Sequence, residues 1–134
     1  LGAVPGVSAM TDVTGFGLLG HLLEICQGSN VSASIDVSAV PVLDPAIFDY
    51  ITAGCVPGGT QRNWQSIAQH ISPISIENQA LLCDPQTSGG LLIAVNPAAV
   101  DDVASLLQHA GCHCQPIGSL ADYNPSQPTI EVMV

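Results

Sequence analysis

The sequence has no lysine and a single arginine, Arg62, against eleven acidic residues, which gives a formal net charge of −10 over 134 residues. Nucleic-acid binding needs many cationic side chains against phosphate, so this composition excludes that class of partner. An anionic ligand such as a nucleotide could be held only if metal ions or another polypeptide segment neutralised its charge. The scarcity of positive charge therefore predicts at most a shared nucleotide site.

Long apolar runs are also missing, although 47% of the residues are hydrophobic. The longest runs, such as LLIAV at 91–95, fall far short of the roughly 20 residues that a membrane span requires. No N-terminal signal with a basic and then an apolar region is visible, so we expect a cytoplasmic protein without a membrane partner. The length predicts one domain over 1–134, and the start at Leu1 indicates a piece of a longer protein.

A cysteine framework is absent as well, because the five cysteines form an odd and irregularly spaced set. We expect reduced thiols. The segment 109–114 contains His109, Cys112, His113 and Cys114, but it lacks the second ligand pair that a closed zinc site would need, so a surface turn is expected. No cysteine has cationic neighbours to activate it, and no Ser-His-Asp elbow occurs, which leaves the chain without a convincing nucleophile.

The spacing of apolar residues predicts both helices and strands. Strands are expected at 7–10, 31–40, 91–95, around 114–120 and around 129–134. Helices are expected from Phe16 to a stop at Gly28, from a cap at Asp44 to Gly54, from a cap at Thr60 to Ile71, over 76–83, and from a cap at Asn96 to Gly111. Strands and helices in this irregular order predict an α+β fold, in which helices pack on a mixed β-sheet.

Three segments carry glycines and polar residues that packing does not demand. They are TDVTGFG at 11–17, VPGGTQRN at 56–63 and LCDPQTSGG at 82–90. Each precedes a regular element, so each could present backbone N–H groups and hydroxyls at one edge of the domain. Ordinary turn and cap chemistry could also account for each segment alone. Arg62 would lie on the first turn of a helix, where a cation is unfavourable unless it meets an acid or a phosphate.

In the first segment, Asp12 lies between an apolar strand and a helix start. A carboxylate there can cap the helix or bind a hard cation. Thr14 and Gly15 are expected at the helix N-terminus, where free N–H groups favour an anion, and Gly15 and Gly17 leave no side chain in the way of a ligand. Spacing alone leaves open both a simple cap at Asp12 or Thr14 and a cation or phosphate site. His21 is interpreted as a hydrogen-bonded helix residue.

Taken together and in this order, the three segments resemble the C-terminal domain of selenophosphate synthetase, also called selenide, water dikinase. The resemblance covers essentially the whole chain, and DPQTSGGLL is its most specific part. Turns like TDVTGFG are shared more loosely with the aminoimidazole ribonucleotide (AIR) synthetase superfamily. The resemblance implies a sandwich like the C-terminal domain of AIR synthase, and a two-domain enzyme whose N-terminal domain is absent here.

The resemblance also implies an activity, in which ATP, selenide and water give selenophosphate, AMP and orthophosphate for selenocysteine synthesis. In such enzymes, ATP and Mg²⁺ lie between the two domains, the N-terminal domain carries the reactive cysteine or selenocysteine and a lysine, and the full-length protein is a homodimer. No catalytic residue is then expected in this chain. Asp12 matches the Mg²⁺-binding aspartate of the C-terminal domain, and Thr11, Thr14 and Gly15 are expected to face the nucleotide.

Two alternatives stay open. One is another ATP-using member of the same superfamily, because the turn motifs are partly shared. The other is a non-catalytic acidic module that binds calcium, although its carboxylates would have to cluster in one loop and the eleven acidic residues are scattered.

Overall fold

The computed structural model describes residues 4–134. The elements follow one another as β1 (Val7–Asp12), α1 (Gly17–Ser29), β2 (Val31–Asp36), α2 (Ala46–Thr52), α3 (Gly58–Ile67), α4 (Ile76–Leu82), β3 (Leu91–Val95), α5 (Val100–His109), β4 (Gly118–Asp122) and β5 (Ile130–Met133). Of the described helices, none is both long and apolar enough to cross a membrane.

The described strands form two sheets. Strands β1 and β3 pair antiparallel, and this pairing places Asp12 opposite Leu91. The second sheet has the order β4-β2-β5, with β2 antiparallel to β4 and parallel to β5. Mixed pairing together with five α-helices confirms the predicted α+β class.

The hydrophobic core lies between α1, the β2–β5 pair, and the ends of α3 and α4 with the residues that follow them. Leu19 and Cys26 from α1, Ile35 from β2 and Ile130 from β5 are almost completely buried. Burial raises the pKa of the Cys26 and Cys83 thiols to about 11, so neither thiol is a nucleophile at neutral pH. All five cysteines are free.

Strand β2 has the predicted alternation, because Ala33 and Ile35 are buried whereas Ser32 and Ser34 are not. The expected continuation to residue 40 is wrong. The strand ends at Asp36, whose Oδ1 accepts hydrogen bonds from the backbone N (2.8 Å) and the Oγ (2.7 Å) of Ser38. These bonds stabilise a 3₁₀ turn over Val37–Ala39 in place of more strand.

Two expected helix ends are also wrong. Helix α1 runs past Gly28 to Ser29 and ends at Asn30, which has a φ of 55° and whose N–H bonds the carbonyl of Cys26. Asparagine is one of the few residues that adopt this left-handed conformation readily. Helix α3 begins at Gly58 after the extended residue Pro57, so Thr60 lies buried inside the helix and does not cap it.

Other predicted boundaries agree more closely with the structure. Asp44 accepts a hydrogen bond from the N–H of Ala46 at the start of α2. Asn96 accepts one from the N–H of Ala98, where a 3₁₀ turn over Pro97–Ala99 precedes α5. The last two strands are present but begin later than expected, at Gly118 and Ile130.

Candidate functional site

The first and third polar segments are joined by backbone hydrogen bonds. The N–H of Val13 donates to the carbonyl of Gly90 (2.9 Å), and the N–H of Gly89 donates to the carbonyl of Val13 (3.0 Å). The N–H of Gln86 donates to the carbonyl of Thr14 (3.0 Å). TDVTGFG and LCDPQTSGG therefore form one continuous surface, as an extension of the β1–β3 pairing.

The second polar segment joins this surface through Asn63. The Nδ2 group of Asn63 donates to the carbonyl oxygens of both Gly15 (2.8 Å) and Cys83 (3.0 Å). One side-chain amide thus connects all three segments. The sequence interpretation gave Asn63 no role, although its place at the end of VPGGTQRN is the one signal that could have marked it.

Asp12 is the last residue of β1 and lies exposed at the edge of this surface. Among the described residues, no hydrogen bond or ion pair involves its carboxylate. The nearby Thr11 hydroxyl donates only to the backbone carbonyl of Asp12, at 3.4 Å. The carboxylate is therefore free to bind a ligand from solvent or from another part of the protein.

The N-terminus of α1 is not capped by a side chain. Phe16 occupies the N-cap position with no side-chain hydrogen bond, and the first turn contains no acidic residue. A simple capping role for Asp12 or Thr14, which spacing alone left open, is therefore wrong. The Thr14 hydroxyl instead lies 3.1 Å from the Nε2 of His21. The first N–H group of the helix, that of Gly17, donates to the backbone carbonyl of Thr14 (3.0 Å).

The two glycines of the first segment serve different purposes. A Cβ on Gly15 would have no atom within 4 Å, so this position is open to an approaching ligand. Gly17 has a φ of 72°, and a Cβ there would lie 2.7 Å from the carbonyl carbon of Cys83. Gly17 is thus required for packing against the third segment, and not for ligand access as the sequence suggested.

A protein-family model covers nearly the whole chain. The model of the family described as AIR synthase related protein, C-terminal domain, matches residues 1–127. The chain belongs to this family. The match also supports the predicted fold, since this AIR synthase related domain combines mixed sheets with packed helices.

Two curated relatives of this AIR synthase related domain bear the same name. Proteins called selenide, water dikinase are 55% identical in Yersinia pestis over 131 residues and 52% identical in Haemophilus ducreyi over 132 residues. Each alignment covers 98% of this chain but only 37% and 38% of the respective relative. The resemblance to selenophosphate synthetases is confirmed, and the chain spans little more than a third of the length of these relatives.

Positive charge near the site is limited to Arg62. Its guanidinium group lies back over the first turn of α3, 3.8 Å from the position that a Cβ on Gly59 would occupy. The only ion pair among the described residues joins His21 and Glu24, so Arg62 has no carboxylate partner there. The guanidinium group of Arg62 is exposed on the second polar segment, where it can meet an anion.

The donor set of this domain fits part of a Mg²⁺ site. Within residues 4–134, no group of three or more His, Cys, Asp or Glu side chains is arranged to hold a metal ion. Mg²⁺ is commonly bound by one or two carboxylates together with waters and substrate phosphates. The free carboxylate of Asp12 can therefore supply one ligand, while the remaining ligands must come from elsewhere.

Asp84, at the start of DPQTSGG, is partly buried beside the same surface. Burial raises the pKa of its carboxyl group above the ordinary value of 3.8, and a hydrogen bond from the Nε2 of Gln86 opposes this rise. The pKa of the exposed carboxyl of Asp36 is lowered, first by the hydrogen bond from the Ser38 side chain. The surroundings thus raise the pKa of Asp84 and lower the pKa of Asp36.

These opposite shifts predict opposite effects on the pH dependence of stability. The raised pKa of Asp84 favours the folded state at low pH, and this contribution is lost as the pH rises through the folded pKa. The lowered pKa of Asp36 favours the folded state above its unfolded pKa, and this contribution is lost as the pH falls through the folded value. Urea unfolding between pH 2 and 7 measures both effects. Relative to the native chain, the free energy of unfolding of Asp84→Asn should increase as the pH rises, and that of Asp36→Asn should decrease. The same pH dependence of the free energy of unfolding in both variants would contradict the opposite pKa shifts.

Proposed function

We propose that this chain is the C-terminal domain of an ATP-dependent selenophosphate synthetase, which converts selenide, ATP and water to selenophosphate, AMP and orthophosphate. The observation that carries the proposal is the convergence of all three polar segments on the edge where the Asp12 carboxylate is exposed and, within residues 4–134, has no hydrogen-bond or ion-pair partner. The name shared by the curated relatives supports the reaction.

In this proposal Asp12 is a ligand of a Mg²⁺ ion that faces the triphosphate of ATP. The ion would neutralise charge on the phosphates, which is the main requirement of phosphoryl transfer. Thr11, Thr14 and Gly15 belong to the same polar segment, TDVTGFG, and are proposed to border the nucleotide; the open space around Gly15 supports this placement. The chain itself, with one arginine and no lysine, has too little positive charge to hold the nucleotide unaided.

The remaining parts of the site are proposed to come from an N-terminal domain. Supporting this, the relatives are far longer than the alignment. Large apolar side chains also flank Asp12 and are half exposed, with Met10 at 43%, Leu91 at 48% and Phe16 at 58%. Apolar surface of this kind beside a polar site is typical of a face that another domain covers. We further expect the complete enzyme to be a cytoplasmic homodimer without a catalytic residue in this domain.

A chimeric enzyme tests the proposal. This chain replaces the matching 131 residues of the Yersinia pestis relative, to which it is 55% identical. We expect the chimera to form AMP and orthophosphate from ATP only when selenide is present, and to form selenophosphate detectable by ³¹P NMR. The native Yersinia enzyme is the positive control.

Three results would count against the proposal. A folded chimera without selenide-dependent AMP formation would contradict it. Equal turnover with and without selenide would favour another ATP-using member of the superfamily. Tight calcium binding by the chain alone, measured by calorimetry, would favour an acidic binding module.

A further inference from the structure

Three side chains form a continuous hydrogen-bonded chain between the first polar segment and the surface of α1. The Oγ1 of Thr14 lies 3.1 Å from the Nε2 of His21, and the Nδ1 of His21 lies 2.9 Å from the Oε2 of Glu24. The Glu24 side chain is 58% exposed, whereas His21 is buried. This hydrogen-bond chain thus runs from Thr14 of the first polar segment through a buried imidazole to a carboxylate at the surface.

The helix fixes the imidazole in this position. His21 and Glu24 are three residues apart on α1 and therefore lie on the same face of the helix. The Phe16 ring packs against the imidazole, with ring centroids 5.6 Å apart. Gly20 allows this contact, because a Cβ there would lie 2.8 Å from the Cβ of Phe16. Rotation of the imidazole would break both of its hydrogen bonds and this packing.

The direction of each hydrogen bond follows from the chemistry of the groups. A carboxylate can only accept, so the Nδ1 of His21 must donate to Glu24. In a neutral imidazole the other ring nitrogen then carries a lone pair, so Nε2 must accept and the Thr14 hydroxyl must donate. The proton of the Thr14 hydroxyl is therefore used in the hydrogen bond to His21 and is not available to another acceptor.

We propose that Glu24 fixes the tautomer of His21, and that His21 thereby makes Thr14 present only an acceptor oxygen to the site. A phosphate oxygen is itself an acceptor and cannot pair with Thr14 in this state. The group that fits is a hydrogen-bond donor, namely a water molecule, including one bound to a metal ion. His21 and Glu24 are positioning residues that act through Thr14.

The meaning of this arrangement for catalysis rests on the proposed function. Thr14 is two residues beyond Asp12 in the first polar segment, so a water on a Mg²⁺ ion bound by Asp12 would be the donor that this acceptor best fits. The resemblance alone had placed Thr14 against the nucleotide. Within the proposed border of the nucleotide site, the hydrogen-bond chain makes a water molecule, and not a phosphate oxygen, the partner of Thr14.

The tautomer can be measured on the chain by itself, independently of any activity. Long-range ¹H–¹⁵N spectra of the four histidines distinguish protonated from unprotonated ring nitrogens, and His21→Gln identifies the relevant signals. At neutral pH we expect His21 with a protonated Nδ1 and an unprotonated Nε2. Glu24→Gln should move it toward a mixture of tautomers, because a side-chain amide can either donate or accept. Glu131→Gln, an exposed glutamate on β5, is the matched control and should leave His21 unchanged.

Two spectral results would overturn the inference. One is a His21 ring that is protonated on Nε2, alone or on both nitrogens, since Thr14 would then be the acceptor of that bond. The other is a tautomer that does not respond to Glu24→Gln, since Glu24 would then not set it. The spectrum of the native chain decides the first point even if a variant fails to fold.

The active chimera provides the second readout. Thr14→Val keeps the shape of the side chain without the hydroxyl, and we expect it to lower kcat by about 10- to 100-fold with little change in the KM for ATP. Thr14→Ser should restore most of the activity. A rise in the KM for ATP with unchanged kcat would mean that Thr14 binds the nucleotide, and would overturn the inference. If the unmutated chimera is inactive, the proposed function fails, whereas the spectra still decide the state of His21.

Discussion

Asp12→Asn is expected to reduce kcat/KM of the chimeric enzyme by at least about 100-fold while the fold stays intact. The amide keeps the shape of the carboxylate but loses the negative charge that attracts Mg²⁺. Because the carboxylate is exposed and makes no hydrogen bond among the described residues, its replacement should leave the thermal midpoint within about 2 °C of the native value. Steady-state kinetics and thermal unfolding of the same preparation check both parts.

The control for this variant is Asp122→Asn. Asp122 is also an exposed aspartate at the end of a strand, but it belongs to β4 in the other sheet. It should have near-native activity. Near-native turnover of Asp12→Asn at ordinary Mg²⁺ concentrations would contradict the metal role, as would an equal loss in both variants.

Gly17→Ala is expected to destabilise the chain by about 3 kcal/mol or more, because two costs combine at this position. A φ of 72° is unfavourable for any residue with a Cβ, and that Cβ would lie 2.7 Å from the carbonyl carbon and 2.9 Å from the Cα of Cys83. Both contacts are with backbone, so the third polar segment would have to move. Urea unfolding of the chain measures the loss.

Gly28→Ala is the matched control, on the same helix. Gly28 lies within α1, and a Cβ there would have no atom within 4 Å. Alanine should therefore stabilise the helix by about 0.5–1 kcal/mol. The two glycine substitutions should thus have opposite signs. A change of less than about 1 kcal/mol in Gly17→Ala would show that the loop can adjust, and that its packing does not fix the site.

The sequence predicted element types better than element ends. The alternation in β2 and the Asn96 cap before α5 are local signals, and both are present in the structure. The ends of β2 and α1 were set by local hydrogen bonds and backbone conformations that compete with continuing the strand or the helix. The Oδ1 of Asp36 accepts hydrogen bonds from Ser38, which ends β2, and Asn30 in the left-handed conformation ends α1 just beyond the expected stop at Gly28. Either outcome was compatible with the same apolar spacing.

For the candidate site, the sequence identified the segments but not how they meet. Asn63 bonds the carbonyl of Gly15, which is 48 positions away in the chain, and no pattern of residue types specifies such a pair. His21 was interpreted only as a hydrogen-bonded helix residue. The structure identifies its partners as Glu24 and Thr14, and Thr14 belongs to the first polar segment. Tertiary contacts of this kind decide which polar residues share a surface.

The most direct test of the central claim counts metal ions. Mn²⁺ replaces Mg²⁺ as a paramagnetic probe in the chimera with a non-hydrolysable ATP analogue, and electron paramagnetic resonance measures the number and affinity of bound ions. If Asp12 is a ligand at the edge of the nucleotide site, Asp12→Asn should lose one bound Mn²⁺ or bind it at least about tenfold more weakly, whereas Asp122→Asn should match the native chimera. The same number of ions with the same affinity in Asp12→Asn would contradict the account.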